Sequence, residues 1–220
     1  MKDTNWEEEF DSVHISKQDL NKIVMNYLLV EGYKSAAEKF NQEAGMATSP
    51  DDPHNMSGLS GYSLIEERRS IRILIQEGKI VQAVEMINDI NPEILDNDEE
   101  LYCMMCKQRL LELIKENKVK EAIKFSQGSL AEKAKENPWL LDQLEEVMSL
   151  LAYKDIKDSP MKHLIDISQR QKLASDVNKA ILKSQCVPSE VKLPFFLKML
   201  AWSEEKISDP EYPKINFDQK

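Results

Sequence analysis

Residues 74–87, LIQEGKIVQAVEMI, align without gaps on residues 113–126, LIKENKVKEAIKFS, at an offset of 39 residues. Leu, Ile, Glu, Lys and Ala match, Ile80 is replaced by Val119, and Val84 by Ile123. Gly78 falls on Asn117. Those two residue types best tolerate the left-handed backbone that closes a helix, so each copy describes a helix, a one-residue stop and a second, antiparallel helix. An offset near 40 falls in the range of helical repeats. Two unrelated hairpins sharing turn chemistry would also fit.

Outward from this pair the pattern stays helical. Further helices are expected over about 98–116, 118–134, 138–152, 160–183 and 194–206, with the first repeat covering 63–77 and 79–89. Ile80, Ala83, Val84 and Ile87 mark one apolar stripe; Leu140, Leu144, Val147, Met148 and Leu151 mark another. Nothing alternates like a strand, and 6 Gly with 9 Pro leave little room for the frequent turns of an all-β fold. Ser63 opens S-L-I-E, which reads as a capping box. Pro194 should either open the last helix or kink it. The fold class is all-α: an opening helical hairpin, then an elongated array of antiparallel hairpins.

That opening hairpin is IVMNYLLVEGYKSAAEKF, residues 23–40. Ser16 and Asp19 form a capping box, the first helix ends near Gly32 and the second near Gly45. Leu20, Ile23, Val24, Tyr27 and Leu28 share one helix face; Tyr33, Ala36, Ala37 and Phe40 share another beyond the glycine. Helices this short are marginal alone, and one hairpin buries too little apolar area to offset its ordering entropy. It must lean on a neighbour. Between Ala47 and Ser60 turn formers replace the apolar pattern, which reads as a linker.

Composition narrows the function classes. Lys plus Arg total 29 against 39 Asp plus Glu, a net charge of −10 that argues against nucleic acid or an anionic membrane as partner. The excess is uneven: residues 1–60 carry −6, residues 61–153 carry −6 and residues 154–206 carry +3. No apolar run approaches the roughly 18 residues that span a bilayer, and the acidic start MKDTNWEEEFD lacks a signal-peptide core. The expected compartments are the cytoplasm and nucleus. Cys103 and Cys106 lie within one predicted helix with no second pair and no nearby His, so buried thiols are expected rather than a metal or redox site. His14, His54 and His163 are scattered. No phosphate-cradling or nucleophile motif occurs, and Glu7-Glu8-Glu9 and Asn97-Asp98-Glu99-Glu100 read as solvated faces or helix starts. Neither cofactor nor metal is expected.

The segment DLNKIVMNYLLVEGYKSAAEKFNQEAG, with its apolar first helix, Glu-Gly-aromatic turn and Ala-Ala-x-x-Phe second helix, closely resembles the LisH motif. IRILIQEGKIVQAVEMINDINPEILDNDEELYCMMCKQRLLELIKENKVKEAIKFSQ resembles CTLH, and SLLAY, SPMKHLI, SQRQKLASDVNKAIL and LPFFLKMLAW resemble the CRA region. That order implies LisH over 16–46, a linker over 47–62, CTLH over 63–120, CRA over 121–206 and a tail over 207–220. The resemblance is to the compact LisH-CTLH-CRA scaffold subunits of the GID/CTLH ubiquitin ligase. It implies a non-enzymatic scaffold whose LisH packs with the last CRA helices to make a homo- or heterodimerisation module. The implied partners are SPRY-bearing and RING-bearing LisH-CTLH-CRA subunits and an armadillo-repeat subunit, and the implied targets include gluconeogenic enzymes. Three Cys and three His are too few for the two four-ligand zinc sites of a RING. The implied subunit interface comprises Leu20, Ile23, Val24, Tyr27, Leu28, Tyr33, Ala36, Ala37 and Phe40 with Phe196, Leu197, Leu200 and Trp202. Two other readings compete: a LisH-type dimerisation adaptor of a cytoskeletal or transcriptional complex, and a helical enzyme using Cys103 or a carboxylate.

Overall fold

The computed structural model describes residues 12–46, 61–136, 138–153, 156 and 159–206; the Glu7-Glu8-Glu9 run, His54, most of the 47–62 linker and the 207–220 tail lie outside them. Every regular element among the described residues is helical. The chain divides into two compact units, Met1–Ser63 with Glu190–Lys220, and Leu64–Ser189.

The first unit holds α1 (Lys17–Val30), α2 (Lys34–Ala44) and α11 (Lys192–Lys206). Ser16 caps α1 as its sequence implies: Oγ accepts from the Asp19 amide at 3.1 Å and donates to Asp19 Oδ2 at 2.6 Å. At the other end Tyr33 N–H reaches Leu28 O at 2.8 Å and Gly32 N–H reaches Leu29 O at 3.2 Å, with Gly32 at φ 79°. This closing pair of bonds satisfies carbonyls that the helix end would leave orphaned. The stop beyond α2 is Gly45, at φ 62°. Met25, Leu29, Val30 and Ala37 form the hairpin's buried seam. Gly61 is buried against Leu29, and Tyr62 Oη donates to Glu38 Oε1 at 3.3 Å, so the end of the segment read as linker packs on the hairpin. Lys192 N–H donates to Asn26 Oδ1 at 3.2 Å, tying the start of α11 to α1. The hairpin's neighbour is thus the C-terminal helix of the same chain.

In the second unit, α3 (Ile65–Gln76) and α4 (Ile80–Ile90) are the first repeat, followed by the single turn α5 (Glu93–Asp96). Next come α6 (Glu99–Lys115) and α7 (Val119–Phe125), the second repeat, then α8 (Ala131–Glu136), α9 (Pro138–Ser149) and α10 (Ile167–Ser184). Both copies close alike: Lys79 N–H meets Leu74 O at 2.8 Å and Lys118 N–H meets Leu113 O at 2.9 Å, with Gly78 at φ 81° and Asn117 at φ 59°. One core joins Ile71, Ile75, Ala83 and Ile87 to Val177 and Ile181; a second joins Leu110, Leu111 and Ala122 to Leu140, Val147 and Leu150.

Several expectations need correction. Ser63 does not cap α3, because Leu64 stands between them in the left-handed region at φ 52° and no side chain caps the helix. The helix expected over 118–134 breaks at Gly128 (φ −84°, ψ −120°) through a π-helical turn, Ser126–Leu130. The one expected over 160–183 starts only at Ile167; Lys162–Ile165 is a separate 3₁₀ turn and Asp166 is extended at ψ 147°. Pro194 neither opens nor kinks α11 but occupies its third position, where its missing N–H costs no intrahelical bond.

Candidate functional site

α11 carries Phe195, Phe196, Leu197, Met199, Leu200 and Trp202 at its surface, and the only residue it buries is Glu204. Phe195, Met199 and Trp202 recur at helical spacing and are 58 %, 48 % and 59 % exposed. The rings of Phe195 and Phe196 meet edge to face at 5.8 Å, and Lys206 Nζ lies 5.7 Å from the Trp202 ring. Six large apolar side chains uncovered on one helix are unusual, because soluble surfaces rarely keep large contiguous apolar patches.

The expected interface residues divide by place. Leu20 and Tyr33 are 49 % and 45 % exposed, and Ala36 is exposed too. Ile23, Val24, Tyr27, Leu28 and Phe40 are half-buried, and the Tyr27 and Tyr33 rings stand 6.1 Å apart. Ala37 has no surface to offer: it is wholly buried in the α1–α2 seam and holds the hairpin closed. Phe196, Leu197, Leu200 and Trp202 are all exposed on α11. Phe195 and Met199 were missed by sequence reasoning. The resemblance implies only Phe196, Leu197, Leu200 and Trp202, whereas LPFFLKMLAW is apolar on nearly every side.

Polar chemistry lies elsewhere. Arg170 grips Glu112 through both guanidinium arms, with Nε to Oε1 at 2.9 Å, and also reaches Gln76 O at 2.9 Å. Gln108 Nε2 donates to Glu112 Oε1 at 2.6 Å, so the carboxylate is fully engaged in holding α10 to α6 and to the end of α3. Cys103 and Cys106 are buried in α6, and burial is the main cause pushing both thiols above their ordinary range. Tyr102 is raised as well, first by the neighbouring Cys106 and then by burial. A neutral thiol is a poor nucleophile and a poor ligand. Among the described residues no group of three or more His, Cys, Asp or Glu is arranged to hold a metal, and no helix is long and apolar enough to cross a membrane.

Family comparisons fit this geometry. A profile described as LisH matches residues 18–44, the α1–α2 hairpin, and one described as "CTLH/CRA C-terminal to LisH motif domain" matches residues 64–208. The chain is 43 % identical over 213 residues to a glucose-induced degradation protein 8 homolog of Dictyostelium discoideum, covering 96 % of this chain and 89 % of that protein. The chain belongs to this LisH-CTLH family of GID8 homologs. A GID8 homolog of Arabidopsis thaliana is 41 % identical over 96 % of the chain and 83 % of its own length. The Schizosaccharomyces pombe GID8 relative, named GID complex subunit 8, is 33 % identical over 91 % of the chain and 84 % of its length. Within the GID8 family frame, the exposed helix α11 falls in the C-terminal part of the CTLH/CRA match and shares a unit with the LisH hairpin.

Proposed function

We infer that the chain is a non-catalytic scaffold subunit of a GID/CTLH-type RING ubiquitin ligase. The observation that carries this reading is the apolar surface of α11, set beside a LisH hairpin whose Leu20 and Tyr33 are themselves exposed. The naming of the fission-yeast relative as a GID complex subunit supports it. In this reading the α1–α2–α11 unit is the dimerisation module, taking a second copy or the equivalent module of a SPRY-bearing or RING-bearing LisH-CTLH-CRA subunit. The α3–α10 unit offers a second surface, for an armadillo-repeat subunit. The chain then acts by bringing substrate-receiving and RING subunits together, so that targets such as gluconeogenic enzymes reach the proteasome. The assembly works in the cytoplasm and nucleus.

The test uses the full chain. Tagged wild type, Leu20→Asp and Trp202→Asp are purified from native cells, and the co-purifying chains are identified. Wild type should recover LisH-CTLH-CRA partners and a RING pair, and both variants should lose them while keeping wild-type circular dichroism. Recovery of the same partners by both variants would remove the interface assignment; recovery of neither a RING pair nor a SPRY partner by wild type would remove the scaffold reading.

A further inference from the structure

A cavity of about 180 Å³, open on one side to solvent, lies between α6, α9 and α10. Its floor is apolar, with Leu111, Leu164 and Leu173 all buried. Its walls carry Lys107 from α6, Lys172 and Gln169 from α10, and Gln143 from α9. Lys107 is half-buried and donates to Gln143 Oε1 at 2.9 Å, a neutral acceptor. Among the described residues no carboxylate stands within ion-pair distance of Lys107 or Lys172. Two acids face the pair. Asp176 lines the cavity but lies 3.2 Å from Lys179, and Glu146 acts on Lys107 only at longer range.

This arrangement is costly without an occupant. Burial lowers the Lys107 pKa below its ordinary value; Glu146 offsets part of that, and the nearby Lys172 adds to it by repulsion. In the same unit the buried Glu112 is matched by Arg170 and Gln108. An anion seated between the two ammonium groups would replace repulsion with attraction and give the half-buried charge a counter-ion.

We propose that this cavity is a carboxylate-binding site, in which Lys107 and Lys172 hold the anion, Gln143 and Gln169 donate further hydrogen bonds, and the leucine floor receives a short aliphatic stem. The volume admits on the order of ten non-hydrogen atoms, which fits a small aliphatic acid or the end of one acidic side chain. A free acid and the Asp or Glu side chain of a docking segment present the same group. The assignment stands apart from the scaffold reading and is measured on the isolated full chain.

The experiment follows Lys107 by NMR of ¹³C-labelled lysine while succinate or a capped tetraglutamate peptide is added. Either probe should shift the Lys107 Cε resonance saturably and raise its titration midpoint toward the ordinary lysine value. Lys172→Ala, an exposed substitution, should weaken binding about tenfold or more, and Lys107→Met should abolish it. Lys179→Ala, outside the walls, should leave binding unchanged. Tighter binding of the peptide assigns the carboxylate to a docking segment, and equal or tighter binding of succinate assigns it to a free acid. No shift with either probe at about 10 mM, a range in which even a weak millimolar site would fill, or unchanged binding in Lys172→Ala, would overturn the assignment.

Discussion

Two neighbouring helices in the sequence, α10 and α11, are both rich in large apolar residues and meet opposite fates. α10 buries Leu173, Ala174, Val177, Ile181 and Leu182, and covers even Asn178. α11 buries only Glu204 and leaves its phenylalanines, leucines, methionine and tryptophan uncovered. The apolar groups of α10 are spaced three and four apart around one stripe, so a single neighbour can cover them. Those of α11 run almost all round the helix, and a single neighbour such as α1 leaves the rest in water. A helix apolar on every side is stable only when surrounded. Apolar content thus identifies surfaces that need cover, while its angular spread decides whether the same chain can supply it.

Damage to each helix in turn should separate the two fates. Ile181→Ala should destabilise the chain by about 2–5 kcal/mol, since it opens a cavity at a fully buried site. Trp202→Ala should change the stability of the isolated chain by about 0.5 kcal/mol or less, in keeping with an exposed position. Urea unfolding followed by circular dichroism measures both. If Trp202→Ala proves as damaging as Ile181→Ala, α11 is core and its role as a contact surface fails.

A second contrast divides the repeated hairpins. A Cβ at Gly78 would lie 2.8 Å from an Arg170 guanidinium nitrogen and 2.9 Å from Glu112 Oε2, and the backbone there has φ 81°. Gly78→Ala should therefore cost about 1–3 kcal/mol through left-handed strain, with more from displacing the Arg170–Glu112 pair. Asn117 occupies the matching place at φ 59° and is exposed, so Asn117→Gly should be neutral or stabilising by a few tenths of a kcal/mol. Arg170→Met is itself destabilising because it strands the buried Glu112, so the losses of Gly78→Ala and Arg170→Met should be less than additive in the double variant. Additive losses would show that the clash is not the cause.

The thiols give a chemical version of the buried-versus-open contrast. Cys103 and Cys106 are buried and Cys186 is exposed at the end of α10, in the left-handed region at φ 56°. A disulfide reagent at neutral pH should modify one thiol of the native chain quickly and two more only on unfolding, and Cys186→Ser should remove the fast phase. Rapid reaction of all three in the native state would contradict the packing of α6.

Much of this was legible in the sequence, for local reasons. Gly32, Gly45, Gly78 and Asn117 stop helices where their backbone freedom says they should; of the two apolar stripes, Ile80, Ala83, Ile87, Leu140, Leu144 and Val147 are buried, and Val84, Met148 and Leu151 are half-buried. The misses are those where a tertiary constraint outweighs a local signal. Ser63 has the right partners for a cap, yet Leu64 turns left-handed and takes the helix start from it. The break at Gly128 and the extended Asp166 interrupt patterns that read as continuous helix. Ile94 and Leu95 bury themselves in a single turn too short for any periodicity to register. Arg170 meets Glu112 across 58 residues, and Lys107 shares a cavity with Lys172, pairings that no local window contains. Ala37, a member of the interface set the resemblance implies, is closed inside the hairpin, and Phe195 and Met199, outside that set, are exposed; only the fold shows either.

The start of α1 separates local from tertiary stabilisation. Asp19 is fully exposed, and its pKa lies below the ordinary value first because Ser16 Oγ donates to it and then because Lys22 Nζ approaches at 3.0 Å. A carboxylate depressed in the folded state contributes stability that is complete above its unfolded value, near pH 4, and is lost as pH falls through the folded value. Protection of the first α1 amides against hydrogen exchange should therefore weaken below about pH 4 while the α10 amides hold to lower pH. Ser16→Ala should cost about 1 kcal/mol of cap and bring the Asp19 midpoint back toward the ordinary carboxylate range. If the α1 amides instead fade together with those of α10, the hairpin melts only as part of a larger cooperative unit, and capping is not what sets its local stability.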